Sequence, residues 1–267
     1  MADDLSALKD MFYSGRTIIP GRTPKGNYFF GYALTGRSPS SQARELVEGD
    51  KTRTIRTNVT DPKQLEKGNP ALLLYPALVN IGPALLASNG AQTGLLYSTA
   101  RNTGALLGTD SVYSQDVIKQ AFKKPVWIYD QKNDEWIDIT TYEPDNPNFT
   151  PRINGVTVNY NTALHIVKRS EEERNEEIHK FDLSSGEGRF ISTYKGGNEN
   201  PVLLPFEGKP IPVSINSENP HDIAESIYEA IGGGELPTDN FRVASAVMMQ
   251  RNGRIDTAII NRSQRGN

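Results

Sequence analysis

Two apolar, β-rich runs, Thr17-Ile18-Ile19 and Tyr28 to Leu34, flank a Gly/Pro-rich link from Pro20 to Gly26. β-Branched and aromatic residues on both sides of such a link predict a hairpin between Arg16 and Leu34. A second group of strands is predicted from Ala71 to Ala87, broken by Asn80 and by Gly82-Pro83 and ended by the turn residues Asn89-Gly90. After Ser114, the apolar positions Val117, Ile118, Ala121 and Phe122 change to a three-and-four spacing. That spacing predicts an amphipathic helix over Ser114–Lys123 with Ser114 as its N-cap. Pro125 closes it, and Val126 to Tyr129 resumes strand character. The best-marked helix runs from Pro220 to Ile231, with Asn219 as cap, Pro220 in the first turn, Ile223, Ile227 and Ile231 on one face, and Gly232-Gly233-Gly234 at its end. Arg242 to Met249 and Ile255 to Ile260 enclose Asn252-Gly253, the signature of a type I′ hairpin.

The stretch from Lys168 to Glu177 is strongly charged and has no apolar stripe, so it reads as a solvated helix or an insertion loop near 168–180. Two helices among many strands, without regular β-α alternation, predict an α+β protein whose helices pack on antiparallel sheets. There is no repeat and no low-complexity segment.

Composition narrows the function classes. The 267 residues are 36% hydrophobic and 23% charged, which describes a folded chain rather than a disordered or collagen-like one. Such a length holds one large core or two small ones. With 29 basic against 32 acidic residues the formal charge is −3, which argues against nucleic acid as a partner and leaves Lys51, Arg53 and Arg56 as a solvated face. The absence of cysteine excludes disulfides, thiolate nucleophiles and iron–sulfur clusters, and fits a cytoplasmic protein. Met1-Ala2-Asp3-Asp4-Leu5 lacks the basic and apolar segments of a signal peptide, and the longest apolar run, Ala71 to Val79, contains Pro76 and is far shorter than the roughly 20 residues of a spanning helix. A membrane protein is therefore not expected.

No phosphate loop, nucleophile elbow or His-Glu-x-x-His helix is present. His165, His179 and His221 are scattered, so no metal site is expected and the histidines read as structural or surface residues. Gly186-Glu187-Gly188 and Lys195-Gly196-Gly197 read as turns. More informative is a set of polar residues at strand ends and turns: Arg37 and Arg44 after the strand ending at Leu34, Tyr75, Asn89, Glu143, Arg152, and Ser192-Thr193-Tyr194. Taken singly, each also has a bland reading as surface charge, core aromatic or turn residue.

At these residues the sequence resembles the archaeal-type IMP cyclohydrolase family. The resemblance is carried by Gly31 to Ser38, Leu74 to Gly82, Ser88-Asn89-Gly90, Tyr142-Glu143, Thr150-Pro151-Arg152-Ile153 and Ile191-Ser192-Thr193-Tyr194, in order, between about residues 15 and 250. It implies a single domain over 1–267 with a four-layer αββα sandwich of Ntn-hydrolase type, two stacked antiparallel sheets between helices. It also implies ring closure of 5-formamidoimidazole-4-carboxamide ribonucleotide to IMP, with loss of water, the last step of purine biosynthesis. The family's catalytic Arg, Tyr and Glu fall on Arg44, Tyr75 and Glu143, with Arg37 a rival for the arginine role. Arg37, Asn89 and Arg152 are carried over as substrate contacts. Partners are then small purine nucleotides, with no cofactor, and a homo-oligomer is compatible with the sequence.

The chain departs from the resemblance by extra residues at the N-terminus, around 124–140 and near 171–177, and by Gln92 where a histidine is expected. These departures leave open a shifted substrate preference. The chemistry itself needs a proton acceptor for a weakly nucleophilic amide and a donor for the departing oxygen, roles that suit Glu143 and Tyr75. A guanidinium from Arg44 or Arg37 suits an oxyanion or the 5′-phosphate. Because Met1 is followed by Ala2, noncovalent acid–base catalysis is expected rather than an N-terminal nucleophile. Two rival classes remain at this stage: an amide hydrolase on the same scaffold, and a noncatalytic purine-nucleotide binding protein.

Overall fold

The run Tyr28 to Leu34 is apolar without alternation because both of its faces are covered. In the computed structural model, Tyr28, Phe30, Tyr32 and Leu34 join one buried cluster while Phe29 and Ala33 join another, the two-residue period of a strand separating them. The structure describes residues 3–49, 53–104, 112–197, 202–232 and 240–265. Met1-Ala2, Lys51 and Gly233-Gly234, which enter the expectations above, lie outside these.

Fifteen strands are described and lie in two large sheets and a small one, all neighbours antiparallel. They are β1 (Arg16–Arg22), β2 (Tyr28–Thr35), β3 (Arg44–Glu48), β4 (Thr54–Val59), β5 (Pro76–Ile81), β6 (Ala84–Ser88), β7 (Trp127–Asp130) and β8 (Glu135–Asp138). There follow β9 (Arg152–Val158), β10 (Asn161–Ser170), β11 (Glu173–Asp182), β12 (Glu187–Ser192), β13 (Ile211–Ser214), β14 (Arg242–Arg251) and β15 (Arg254–Asn261). One sheet has the order β13-β12-β1-β2-β14-β15, the other β11-β10-β9-β6-β5-β4-β3, and β7 pairs with β8. The expected α+β class with two antiparallel sheets is observed.

The cluster containing Ile18, Phe30 and Tyr32 of the first sheet also holds Leu78, Leu85, Ile153 and Leu164 of the second, so the main core lies between the sheets. The α-helices described are α1 (Ser6–Lys9), α2 (Pro39–Gln42), α3 (Pro62–Leu65), α4 (Pro70–Leu73), α5 (Gln92–Asn102), α6 (Ser114–Ala121) and α7 (Pro220–Ala230). On its other side the first sheet packs against α7 through Ile19, Phe29, Val247, Ile223 and Ile227. The second sheet packs against α5 (Gln92–Asn102) and α6 (Ser114–Ala121) through Leu86, Val156, Leu96, Val117 and Ile118. One face only of α6 and α7 is buried, as their spacing predicts. Asn219 caps α7 by accepting from the His221 N–H at 3.0 Å, and Asn252 and Gly253 close the β14–β15 turn with positive φ.

Several expectations need correction. The charged run is neither a helix nor a loop: Lys168 to Glu177 is the tip of the β10–β11 hairpin, in register Lys168↔Asn175, with Glu171 and Glu172 in the turn. β11 is the outer strand of its sheet, and charge there protects an open edge while needing no apolar stripe. Lys168 and Glu177 pair across the hairpin at 2.8 Å. Ser114 does not cap α6; its hydroxyl donates to the Asn161 carbonyl at 2.7 Å and accepts from the Val158 N–H at 3.0 Å, tying the helix start to the sheet. Ala71 to Leu73, expected as strand, lie in a single helical turn, α4 (Pro70–Leu73), because Asn69 caps it and Pro70 opens it. Helix α5 went unread because Gly94, Ser98 and Asn102 blur its periodicity. Strand β1 continues through Pro20 to Arg22, its ladder to β12 running at Thr17, Ile18 and Gly21 and passing over the residue with no N–H. Among the described residues no helix is long and apolar enough to cross a membrane.

Candidate active site

Of the arginines that open strands, three act on Glu143: Arg16 starts β1, Arg44 starts β3 and Arg152 starts β9. Each is pinned by its ladder at the backbone, so its guanidinium is delivered from a fixed origin. Gly15, with φ of +74°, makes the turn into β1; its carbonyl accepts from Thr35 N and Thr35 Oγ1 at 3.0 and 2.6 Å, and a Cβ there would stand 2.7 Å from the Tyr194 ring. Thr193 holds Arg16 on the other side, its hydroxyl accepting from Arg16 N at 3.1 Å.

Arg16, alone of the three arginines, lines a cavity of about 290 Å³ whose wall also includes Tyr13, Arg37, Glu143, Asp145 and Tyr194; Arg44 and Arg152 lie behind that wall. Glu143 is only 4% exposed although it leads a Pro/Asn-rich segment. That segment folds back on itself: Glu143 N donates to the Thr150 carbonyl at 2.8 Å, and the Asp145 carboxylate accepts from Thr150 N at 2.6 Å and from its hydroxyl. Glu143 Oε1 accepts from Arg16 Nη2 at 3.0 Å, and Arg152 Nη1 lies 3.7 Å away. Burial pushes the Glu143 carboxyl up to about 7, Asp145 adding to the rise, while Arg16, Arg152 and Arg44 pull it down. Burial opposes the charge on Arg16 as well, but Glu143 and the phenols of Tyr75, Tyr194 and Tyr32 hold it well above its ordinary value. A carboxylate near neutrality between fixed cations can accept a proton and return it.

Arg152, 1% exposed, donates from Nε to the Thr141 carbonyl at 2.7 Å and from Nη1 to Gln92 Oε1 at 3.0 Å. Gln92 Nε2 in turn donates to Asn89 Oδ1 at 2.9 Å. Asn89 closes the chain by accepting from Ile153 N at 2.9 Å and donating to the Pro151 carbonyl at 2.8 Å. Thus Gln92, expected as a departure, is the link between Arg152 and Asn89. Arg16 Nε and Arg152 Nη2 are buried with no hydrogen-bond partner among the described residues.

Arg44 is buried and donates from Nε to the Ser41 carbonyl at 3.0 Å and from Nη1 to the Leu73 carbonyl at 3.5 Å, joining two residues of the cavity wall. Arg37 is half-buried on that wall, its guanidinium 5.0 Å over the Tyr13 ring. Tyr75 lies between the sheets, its hydroxyl 3.0 Å from that of Tyr32. The expected residues therefore fall into a linked group, Glu143 with Arg152 and Asn89; a wall group, Arg37 with Glu143; Arg44, which bonds the Ser41 and Leu73 carbonyls behind the wall; and Tyr75, which is joined to Tyr32. Arg16 and Tyr32 were missed as site residues. The available signal was an arginine leading straight into an apolar strand, Gly15-Arg16-Thr17-Ile18-Ile19.

Among the described residues no group of three or more His, Asp or Glu side chains is placed to hold a metal. His165 is buried, with Nδ1 at 3.0 Å from Asn154 Nδ2 and Nε2 at 3.2 Å from Glu176, away from the cavity wall.

A two-sheet α+β protein with a buried glutamate held between strand-opening arginines at the edge of a small cavity is the class this geometry defines. The sequence profile of the family described as "IMP cyclohydrolase-like protein" matches residues 13–108 and 114–254, and the chain belongs to that family. A protein named "IMP cyclohydrolase" from Methanococcus maripaludis (strain C7 / ATCC BAA-1331) is 27% identical over 188 residues, which cover 70% of this chain and 76% of the relative.

Proposed function

We propose that the chain is an IMP cyclohydrolase that closes 5-formamidoimidazole-4-carboxamide ribonucleotide to IMP by noncovalent acid–base catalysis in the cytoplasm. The observation that carries this reading is the Glu143 carboxylate, buried at the cavity, pushed up to about 7 and hydrogen-bonded to Arg16. The carboxamide nitrogen of the substrate attacks the formyl carbon of the same molecule, so a rigid pocket that holds the two groups in contact removes much of the barrier. Glu143 accepts the amide proton as the C–N bond forms. Tyr75, paired with the Tyr32 hydroxyl, protonates the formyl oxygen in that step; Glu143 then returns the amide proton to the same oxygen, which leaves as water, while the formamido N–H proton passes back to the Tyr75 phenolate as the ring C=N bond forms. Arg37, at the half-exposed rim, takes the 5′-phosphate, and Arg152, with an unspent Nη2, takes a second anionic or carbonyl oxygen. Asn89, its side-chain amide spent on Pro151, Ile153 and Gln92, acts by fixing Arg152 rather than by touching the nucleotide. Arg44 ties the wall and adds to the positive field on Glu143.

The same reading takes the chain as one domain over 1–267. It takes the three apolar clusters, helix against sheet, sheet against sheet and sheet against helix, as the four-layer αββα arrangement of an Ntn-type hydrolase. A noncatalytic nucleotide binder is disfavoured by Glu143: holding a buried carboxyl beside cations at the cavity is costly, and proton transfer gives it a use that binding alone does not. The test is an ultraviolet assay for IMP formation from the formamido ribonucleotide, with Glu143→Gln beside the wild type. IMP formation by the wild type and its loss in the variant are expected; absence of turnover by a folded wild-type protein would overturn the reading.

A further inference from the structure

Arg16 belongs to no segment that carries the resemblance, yet it makes the shortest contact to the glutamate at the cavity, Nη2 to Oε1 at 3.0 Å across 127 residues of sequence. We propose that Arg16 is a positioning residue for the reaction, one that aims the Glu143 carboxylate at the cavity and keeps it ionised for proton acceptance. The proposal rests on Glu143 being the proton acceptor.

Three observations carry it. First, the origin of the side chain is fixed: Arg16 pairs with Leu34 on one side, and on the other its N–H is taken by Thr193 Oγ1 while its carbonyl accepts from Thr193 N at 2.8 Å. Only a residue with so little backbone freedom can set the orientation of a partner on a connecting segment. Second, Glu143 Oε1 has Arg16 as its hydrogen-bond donor, whereas Arg152 stands at 3.7 Å, beyond hydrogen-bond length, with its Nε and Nη1 spent on Thr141 and Gln92. Arg152 contributes charge to the carboxylate, and Arg16 contributes charge and direction. Third, both Arg16 and Glu143 line the cavity, so the pair faces the open space and is not sealed beneath it.

The charged and titratable groups that face this pair come from several elements: Arg152 from β9, Arg44 from β3, Asp145 from the segment that carries Glu143, Tyr32 from β2, and Tyr75 and Tyr194 from loops. Of these Asp145 raises the Glu143 pKa, and Arg152 and Arg44 lower it alongside Arg16. Removing Arg16 therefore leaves a carboxyl that burial and Asp145 push upward, with Arg152 and Arg44 left among the described residues to oppose them, neither hydrogen-bonded to it.

The experiment is the pH profile of kcat for Arg16→Gln and Arg16→Lys beside the wild type, with KM and a thermal melt on each preparation. If Arg16 acts on Glu143, the rising limb of kcat in Arg16→Gln moves to higher pH by about 1–3 units, the usual effect of losing an opposite charge in contact. KM should change less than kcat. Arg16→Lys keeps the charge without the fork, so its limb should return toward the wild-type position while the plateau stays lower. A limb that stays in place in a folded Arg16→Gln, or Arg16→Lys with wild-type kcat and limb, would overturn the proposal. If Arg16→Gln does not fold, Arg16→Lys alone decides by the same two readings. Failure of the underlying reading looks different: there Glu143→Gln keeps its turnover, whatever the Arg16 variants do.

Discussion

The hydroxyls of Tyr32 and Tyr75 meet at 3.0 Å, Tyr32 coming from β2 of one sheet and Tyr75 from the residue before β5 of the other. The pair is a polar stitch through the apolar layer between the sheets. Burial, then the neighbouring Tyr75, hold the Tyr32 phenol well above its ordinary value against the pull of Arg16 and Arg44, so Tyr32 stays protonated and can donate to Tyr75 or accept from it. If Tyr75 is the proton donor, Tyr75→Phe should lower kcat by about 10²–10⁴. Tyr32→Phe removes only the partner, and should cost about 0.5–1.5 kcal/mol of stability with a smaller loss of kcat. Steady-state kinetics and melts of both variants separate the roles, and equal losses of kcat would show that the two phenols act as one unit.

The framework was legible where one rule dominates. The Pro220–Ala230 helix carries its cap, its first-turn proline and its apolar stripe in sequence, and Asn252-Gly253 marks its hairpin. The β10–β11 hairpin was not legible because edge strands carry charge for a reason unrelated to periodicity, and that charge hid the two-residue pattern. The site shows the same division. Glu143, Arg152 and Asn89 were legible through a resemblance in sequence, whereas Arg16 becomes visible only when β1 of one sheet and the segment before β9 of the other are brought together, 127 residues apart in the chain.

Arg37 and Arg152 should separate in their effects. Arg37 is on the half-buried wall, so Arg37→Ala should raise KM and weaken IMP binding by about 1.5–3 kcal/mol, the worth of a hydrogen bond to a charged group, with only a small loss in the melt from its stacking over Tyr13. Arg152 is buried within the Glu143–Gln92 network, and Arg152→Ala should also destabilise the fold by leaving the Thr141 carbonyl and Gln92 without their donor. Calorimetric titration with IMP, together with melts, checks both, and unaltered affinity in Arg37→Ala would remove it from the phosphate site.

Asn89 brackets Arg152 by bonding the backbone on either side of it. Asn89→Ala would leave a buried N–H of Ile153 and the Pro151 carbonyl without their partner, a cost of about 1–3 kcal/mol. It should also raise KM, since the origin of Arg152 loosens. Gln92→Ala keeps the backbone bonds and should show the KM effect with a smaller loss in the melt. A Gln92→Ala enzyme indistinguishable from wild type in KM would break the link between this network and substrate binding.

Glu143 joins stability and turnover through one titration. Its carboxyl is raised from an ordinary 4.5 to about 7, first by burial, so the folded protein binds a proton that the unfolded chain releases at lower pH. The stabilising contribution is therefore complete below about 4.5 and is lost as pH rises through about 7. Turnover should move the opposite way, rising across neutral pH as the accepting carboxylate forms. Glu143→Gln removes both trends: it should lower kcat by about 10²–10⁴ with IMP affinity little changed, and its stability should gain on the wild type as pH rises from about 5 to 8, by the order of a few kcal/mol at most, read as a growing difference in melting temperature. Paired melts across that range and kcat measured in the same buffers test the connection. A melting difference that stays flat with pH, or a variant that keeps more than about a third of the wild-type rate where a lost general base predicts far less, would place the proton acceptor elsewhere.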